Sequence, residues 1–268
     1  MEWFDPENFF DLKGLGPLAG LFEGVGRVWE ILDSLTPYIA RTMRPNVAEL
    51  RRRGGLTAEP AGLLEGRVYW GVDYEPGDPA KGGLRVYHQG HELPGAALIM
   101  PGVMLADDGL EIGDGALVES GAFLRGPSVI GPRSEVRQGA YVRGGVWSAP
   151  GALIGHATEA KNALLLPGAK AGHFAYLGDS LLGREVHLGA GTKLANLKMT
   201  RFPYVFRVGG REEEVKRRKF GAIIGDGAST GCNAVTNPGV LLGREAKVLP
   251  NISVPSGYYP AQSLIRGR

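Results

Sequence analysis

The chain has 268 residues, enough for one large domain or two small ones, and a formal charge of +2 that is too small to point to nucleic acid. Its one cysteine, Cys232, excludes an intrachain disulfide and fits a reducing compartment. No run of about 18 apolar residues offers a membrane span, and the acidic start MEWFDPENFF lacks the basic-then-apolar form of a signal peptide, so a cytoplasmic protein is expected.

Residues 1–60 read as a helical segment. Leu21, Val25, Val28, Leu32, Leu35 and Ile39 alternate steps of four and three, which is one helical face. Thr36 suits an N-cap, with Pro37 at the first helical position. The stripe is too short for a firm coiled-coil seam and fits a helix lying on the rest of the domain. Arg51, Arg52 and Arg53 read as a solvated helix end. Residues 61–95 form a β-rich connector: GRVYWGVDY and GLRVYHQGHEL flank EPGDPAKG as a hairpin or a pair of short strands. His88 and His91 fall in a turn there, where solvation fits them better than a metal pair.

Beyond residue 95 a period of six takes over. Ile112, Val118, Leu124, Ile130, Val136 and Val142 are six apart. After a slip at Ser148 the register resumes at Ile154, Ala160, Leu165, Ala171, Leu177, Leu182, Leu188 and Leu194, with five-residue steps after Ala160 and Leu177. A second block runs through Ile224, Thr230, Thr236, Leu242, Val248 and Val254. Six is neither the 3.6 of a helix nor plain alternation; it marks a parallel β-helix of hexapeptide repeats, three to a coil. Glycine, at 43 residues, is more than twice its usual share of ~7% and suits the crowded corners. The fold expected is mainly β: a β-helix over 96–260, an N-terminal helical segment, and one protruding loop at 197–219. VFRVGGREEEVK inside that loop reads as a hairpin around Gly209 and Gly210, and its charges read as solvated.

The coil count brings distant residues together. Val136, Ile154, Ala171 and Leu188 stack on one side, and Val142, Ala160, Leu177 and Leu194 on the next. Residues beside an inward anchor face outward, so Arg137, Glu159, Lys161, Tyr176 and His187 crowd one edge near His156, His173 and Asn196. Three chemistries fit such a set. A histidine near neutral pH can take a proton from an amine or hydroxyl while Arg137 and Lys161 hold an anion. His156, His173 and His187 could share a metal, although no thiolate is near and the cations oppose it. A histidine could also simply cap a corner, which suits His156 better than His173. The G-x-G-x-x-A match in GLGPLAG has no strand before it and carries no dinucleotide site.

The run IGHATEAKNALLLPGAKAGHFAYLGDSLLGREVHLGAGTKLANLK resembles the left-handed β-helix acetyltransferase domain of bifunctional sugar-1-phosphate (N-acetylglucosamine-1-phosphate) nucleotidylyltransferases, over roughly residues 95–255. The left hand follows from that resemblance. So do the roles: Arg137 for phosphate, Lys161 and Tyr176 for substrate, His173 as catalytic base, Asn196 near the acetyl group, and Lys219 reaching the site from the loop, in the family from the neighbouring subunit. Glu159 joins the substrate set by position. The resemblance implies transfer of an acetyl group from acetyl-CoA to a phosphorylated amino sugar, and a homotrimer; the charge, the hydropathy and the cations near the histidines lead to the expectation of no nucleic acid, membrane or metal partner. Two positions depart from the pattern: His187 stands for an asparagine on the substrate side, and Cys232 for a serine on the cofactor side. The first 95 residues hold nothing like the nucleotidylyltransferase domain, so pyrophosphorylase activity is not expected. A non-catalytic sugar-nucleotide-binding or regulatory protein is the alternative, and a zinc-dependent carbonic-anhydrase-like β-helix a third reading.

Overall fold

The computed structural model describes residues 3–200 and 203–267. The chain winds into a left-handed β-solenoid of about nine turns, each giving a short strand to each of three walls. The first wall stacks Val118, Val136, Ile154, Ala171, Leu188, Thr230 and Val248 in parallel register. The second stacks Leu124, Val142, Ala160, Leu177, Leu194, Thr236 and Val254. The third stacks Ile112, Ile130, Ser148, Leu165, Leu182, Ile224 and Leu242. All are buried, so the period-six anchors are the core of the prism.

The two five-residue steps fall on the corner between the second and third walls. Most coils break their strands there. Glu159–Leu165 and Tyr176–Leu182 instead pass round it unbroken, each bending at one left-handed residue, Asn162 (φ 44°) and Asp179 (φ 46°). Asparagine and aspartate tolerate that conformation better than other side chains.

The N-terminal segment lies on the solenoid, but not as one long helix. Its residues make 3-10 turns at Gly16–Leu21 and Val28–Glu30, then the helix α1, Ile31–Thr42. Thr36 and Pro37 lie inside α1 rather than at its start, and the Thr36 hydroxyl is used elsewhere. The segment covers the outward column of the third wall: Val129, Trp147, Leu164, Leu181, Ile223 and Leu241 share a core with Phe9, Phe10, Trp29, Leu32 and Leu35. An apolar outward wall is thus buried by the chain itself. Arg51 is also more than a solvated end: its guanidinium donates to the Leu105 and Ala106 carbonyls and pairs with Asp108.

In the connector, Ala61–Leu64 pairs antiparallel with both Arg67–Trp70 and Ala97–Ile99, extending the first wall past its first coil. Asp73–Glu75, Arg85–His88 and His91–Glu92 form a small sheet packed on Leu98 and Leu117. The loop at 197–219 carries the expected hairpin, Tyr204–Val208 with Arg211–Val215, around Gly209 and Gly210. It is not simply a solvated loop. Tyr204, Phe206 and Val215 are buried, and Phe206 stacks on Trp29 with ring centroids 5.3 Å apart.

Candidate functional site

The second wall presents two outward columns. One runs Tyr141, Glu159, Tyr176, Lys193, and the other Arg143, Lys161, Gly178, because Val142, Ala160 and Leu177 between them are the inward anchors. Arg143 therefore stands one coil from Lys161 and pairs with Glu159 at 2.6 Å. The loop closes onto the same place: Leu197 bridges Lys219, and the Phe220 N–H donates to the Asn196 carbonyl at 2.8 Å. Lys219 of the same chain thus reaches Lys161. Close approach of the Lys219 amine, then burial, then that amine's charge hold Lys161 below the ordinary lysine pKa, while Asp179 works against them. Arg143, Lys161 and Lys219 gather on one edge beside the half-buried carboxylate of Glu159, which is an arrangement that holds an anion.

Beneath the cations runs a ladder of side chains at the tight corner. The Thr36 hydroxyl, from α1, donates to Asn162 Oδ1 at 2.9 Å. Asn162 Nδ2 donates to the Leu32 carbonyl at 3.2 Å and to Asp179 Oδ1 at 3.0 Å. Asn196 Nδ2 donates to Asp179 Oδ2 at 2.5 Å, and the Tyr176 hydroxyl donates to Asn196 Oδ1 at 3.4 Å. Asp179 is 6% exposed, with both oxygens engaged. Gly178 makes room for the ladder, since a Cβ there would lie 2.6 Å from both Asn196 Nδ2 and the Tyr176 hydroxyl. Burial, then the charges of Glu159 and Asp179, raise the Tyr176 pKa and keep it a neutral donor.

The histidines sit at the corner between the first and second walls. Backbone bonds stack Gln138, His156, His173, Ala190 and Cys232 along it. His156 Nδ1 donates to the Gln138 carbonyl at 2.9 Å, the corner-capping role. His173 is exposed, with its ring free of hydrogen bonds among the described residues. Next to it, Phe174 (φ 51°) is 56% exposed and stands edge-on to His156, centroids 5.2 Å apart. Neighbouring coils place Gly139, Ala157, Gly191, Asn233 and Asn251 at that left-handed corner. A phenylalanine there costs about 1 kcal/mol of backbone strain and leaves an apolar ring in water.

The structure thus brings together Glu159, Lys161, Tyr176, Asn196 and Lys219 on the second wall and its far corner, with His173 and the exposed Cys232 on its near corner. It sets two expected residues apart. Arg137 lies on the first wall, paired bidentately with Glu135 at 2.9 and 3.2 Å, in a cavity with Asp78, Arg133 and Lys170. His187 is exposed and pairs in register with Lys170 and Ser229, so it is off the column of His156 and His173. Among the described residues, no group of three or more metal-donating side chains is found, and no helix is long and apolar enough to cross a membrane. Sequence reasoning missed Arg143, Asn162, Asp179 and Phe174. Arg143 was findable, because it lies eighteen residues before Lys161, one full coil. The corner ladder was not, because the sequence does not show that a five-residue side turns its middle residue toward the next coil.

No protein-family model matches the chain. It is similar to a bifunctional sugar-1-phosphate nucleotidylyltransferase/acetyltransferase of Sulfurisphaera tokodaii, 38% identical over 101 residues, which is 38% of this chain and 25% of that protein. It is 35% identical over 99 residues to the bifunctional protein GlmU of Methanococcus aeolicus, 37% of this chain and 24% of the relative. A GlmU of Prochlorococcus marinus is 31% identical over 156 residues, 53% of this chain and 30% of the relative. The chain resembles the acetyltransferase part of such enzymes. The match spans about a quarter of the length of these curated relatives, and an acetyltransferase type of function is what it supports.

Proposed function

We propose that this protein transfers an acyl group, acetyl in the simplest case, from coenzyme A to the amine of a phosphorylated amino sugar or a related phosphorylated amine. The observation that carries the proposal is the meeting of Arg143, Lys161 and Lys219 on the wall whose near corner bears His173. Three cations beside the half-buried carboxylate of Glu159 call for an anion, and a phosphate has the charge and acceptors for it. Tyr176 contacts the sugar and Asn196, held by Asp179, lies near the acetyl group, with Glu159 beside them. Arg137 and His187 act on the substrate only if a second copy of the chain brings its first wall to this site, as in the homotrimer the resemblance implies.

His173 is the general base. It takes one proton from the substrate ammonium, and the free amine attacks the thioester carbonyl. The C–N bond forms and an oxyanion develops, stabilised by donors at the site. Collapse breaks the C–S bond, and the second nitrogen proton leaves with the thiolate as coenzyme A thiol. Cys232, two coils from His173 on the same corner, is on the coenzyme A side. The cytoplasmic location expected from the sequence goes with this reading.

The experiment is thiol release with acetyl-CoA and a panel of phosphorylated amines. Wild-type turnover that vanishes in His173→Ala, with the assembly unchanged, supports the proposal. Full activity in that variant refutes the base. No coenzyme A binding at all would favour the non-catalytic reading.

A further inference from the structure

The second wall continues past the cation cluster, away from Cys232, and its side chains there have no role in the proposed transfer. One coil before Glu159 its outward column holds Tyr141, and one coil earlier Phe123. The neighbouring column holds Arg143 and then Arg125. Tyr141 is 37% exposed, Phe123 is half-buried, and the two rings meet edge to face, centroids 5.3 Å apart. Each arginine lies over the ring of its own coil: Arg143 is 5.7 Å from the Tyr141 centroid and Arg125 is 5.9 Å from that of Phe123. Arg125 is exposed and makes no ion pair among the described residues.

Adjacent coils are about 4.8 Å apart, so the strip reaches about 10 Å from Lys161 to Arg125. It is continuous with the cation cluster and repeats one motif, a ring with a guanidinium beside it. A phosphate with a flat ring attached fits that motif, because aromatic faces stack on any base and arginine binds phosphate. We propose that the acceptor carries a nucleotide: its diphosphate spans Lys161, Arg143 and Arg125, and its base lies against Phe123 and Tyr141. This rests on the acyltransferase reading for the amine end and narrows the substrate to a nucleoside-diphosphate-linked amino sugar. The strip runs toward the early coils while Cys232 lies in a later one, which assigns it to the acceptor rather than to the nucleotide end of coenzyme A.

The test is equilibrium binding by calorimetry to wild type, Phe123→Ala and Arg125→Ala. The probes are uridine 5′-diphosphate, adenosine 5′-diphosphate, adenosine 3′,5′-bisphosphate as the coenzyme A end, and glucosamine 1-phosphate as the base-free control. Both 5′-diphosphates should bind wild type and weaken about tenfold in either variant, with the base-free probe unchanged. Absent diphosphate binding, or affinities unmoved in both variants, overturns the proposal. So does weakening confined to the 3′,5′-bisphosphate, which would give the strip to coenzyme A. A change of assembly state in Arg125→Ala by sedimentation would also overturn it, by making the strip an interface between copies. Diphosphate binding through the strip without thiol release from any amine would sustain the strip and sink the transferase reading.

Discussion

Replacing Asp179 with asparagine keeps the shape of the corner and removes its charge. Both carboxylate oxygens accept amide hydrogens, from Asn162 at 3.0 Å and from Asn196 at 2.5 Å. An asparagine has one oxygen to offer, so whichever way its amide turns, one N–H group faces another. A hydrogen bond to a charged group contributes ~1.5–3 kcal/mol and a neutral one about 1. Losing one charged bond and weakening the other sums to about 3 kcal/mol, and partial solvation of Asn162 and Asn196 reduces this to about 2 kcal/mol. The assay is the urea midpoint at fixed chain concentration, with the slope checked for constancy. Function should follow by a second route. Asp179 raises the proton affinity of Lys161, so its loss should make Lys161 shed its proton at lower pH and raise KM for a phosphorylated acceptor. Stability within about 0.5 kcal/mol of wild type, together with an unchanged KM, would refute the ladder as the support of the site.

His173→Ala should abolish thiol release while circular dichroism and assembly stay as in wild type. Lys219→Met removes the cation that depresses Lys161. The folded pKa of Lys161 lies below 10.5, so repulsion opposes folding in full below that folded pKa and is relieved as pH rises from it toward 10.5. In the variant that relief should disappear from the stability–pH curve, and the alkaline rise in KM should move to higher pH; curves that superpose would refute the coupling. Gly155→Ala should unfold the middle coils, because a Cβ there would lie 1.8 Å from the Gly172 carbonyl oxygen, whereas Gly172→Ala, with nothing within 4 Å, should be tolerated; equal urea midpoints for the two would refute the stacking of these coils.

The solenoid was legible because each anchor faces only its counterparts in neighbouring coils, so burial writes its period straight into the sequence. Thr230 and Thr236 stand among the anchors of the first and second walls without being apolar, and the period locates them; Ser148, which reads as a slip in the sequence, is an in-register anchor of the third wall, buried with a hydroxyl in place of an apolar side chain. The N-terminal stripe was legible as burial and misleading as structure. Val28, Leu32, Leu35 and Ile39 are all buried, yet only the last three lie in α1. A wall that covers a segment rewards apolar spacing whether the backbone is α or 3-10. The site was half legible. Columns within one wall follow from counting, so Glu159, Lys161 and Tyr176 come out together. Arg137 came out with them on the assumption that one edge collects both walls, and the corner separates them. The ladder from Thr36 depends on where α1 docks, a contact between residues 126 apart that no local pattern contains.

The candidate site lies where the repeat departs from six. A five-residue side leaves no room for a separate turn, so the strand bends at one left-handed residue whose side chain lies against its neighbours. One such residue alone would be an exposed amide. Two on consecutive coils, Asn162 and Asp179, bond to each other, and Asn196 on the next coil completes the run. That run needs ends. α1 supplies one through Thr36 and the Leu32 carbonyl, and the returning loop supplies the other, fixing the Asn196 backbone through Phe220. The two segments outside the hexapeptide repeat, the N-terminal segment and the hairpin loop, thus hold the two ends of one row of side chains. The hairpin packs on Trp29 just before α1, so the supports brace each other as well as the row. Replacing the hairpin, Tyr204 to Val215, with a two-residue link that keeps Lys219 and Phe220 should therefore shift both KM and the urea midpoint, while Gly210→Asn at the exposed tip, where a Cβ meets nothing within 4 Å, should change neither.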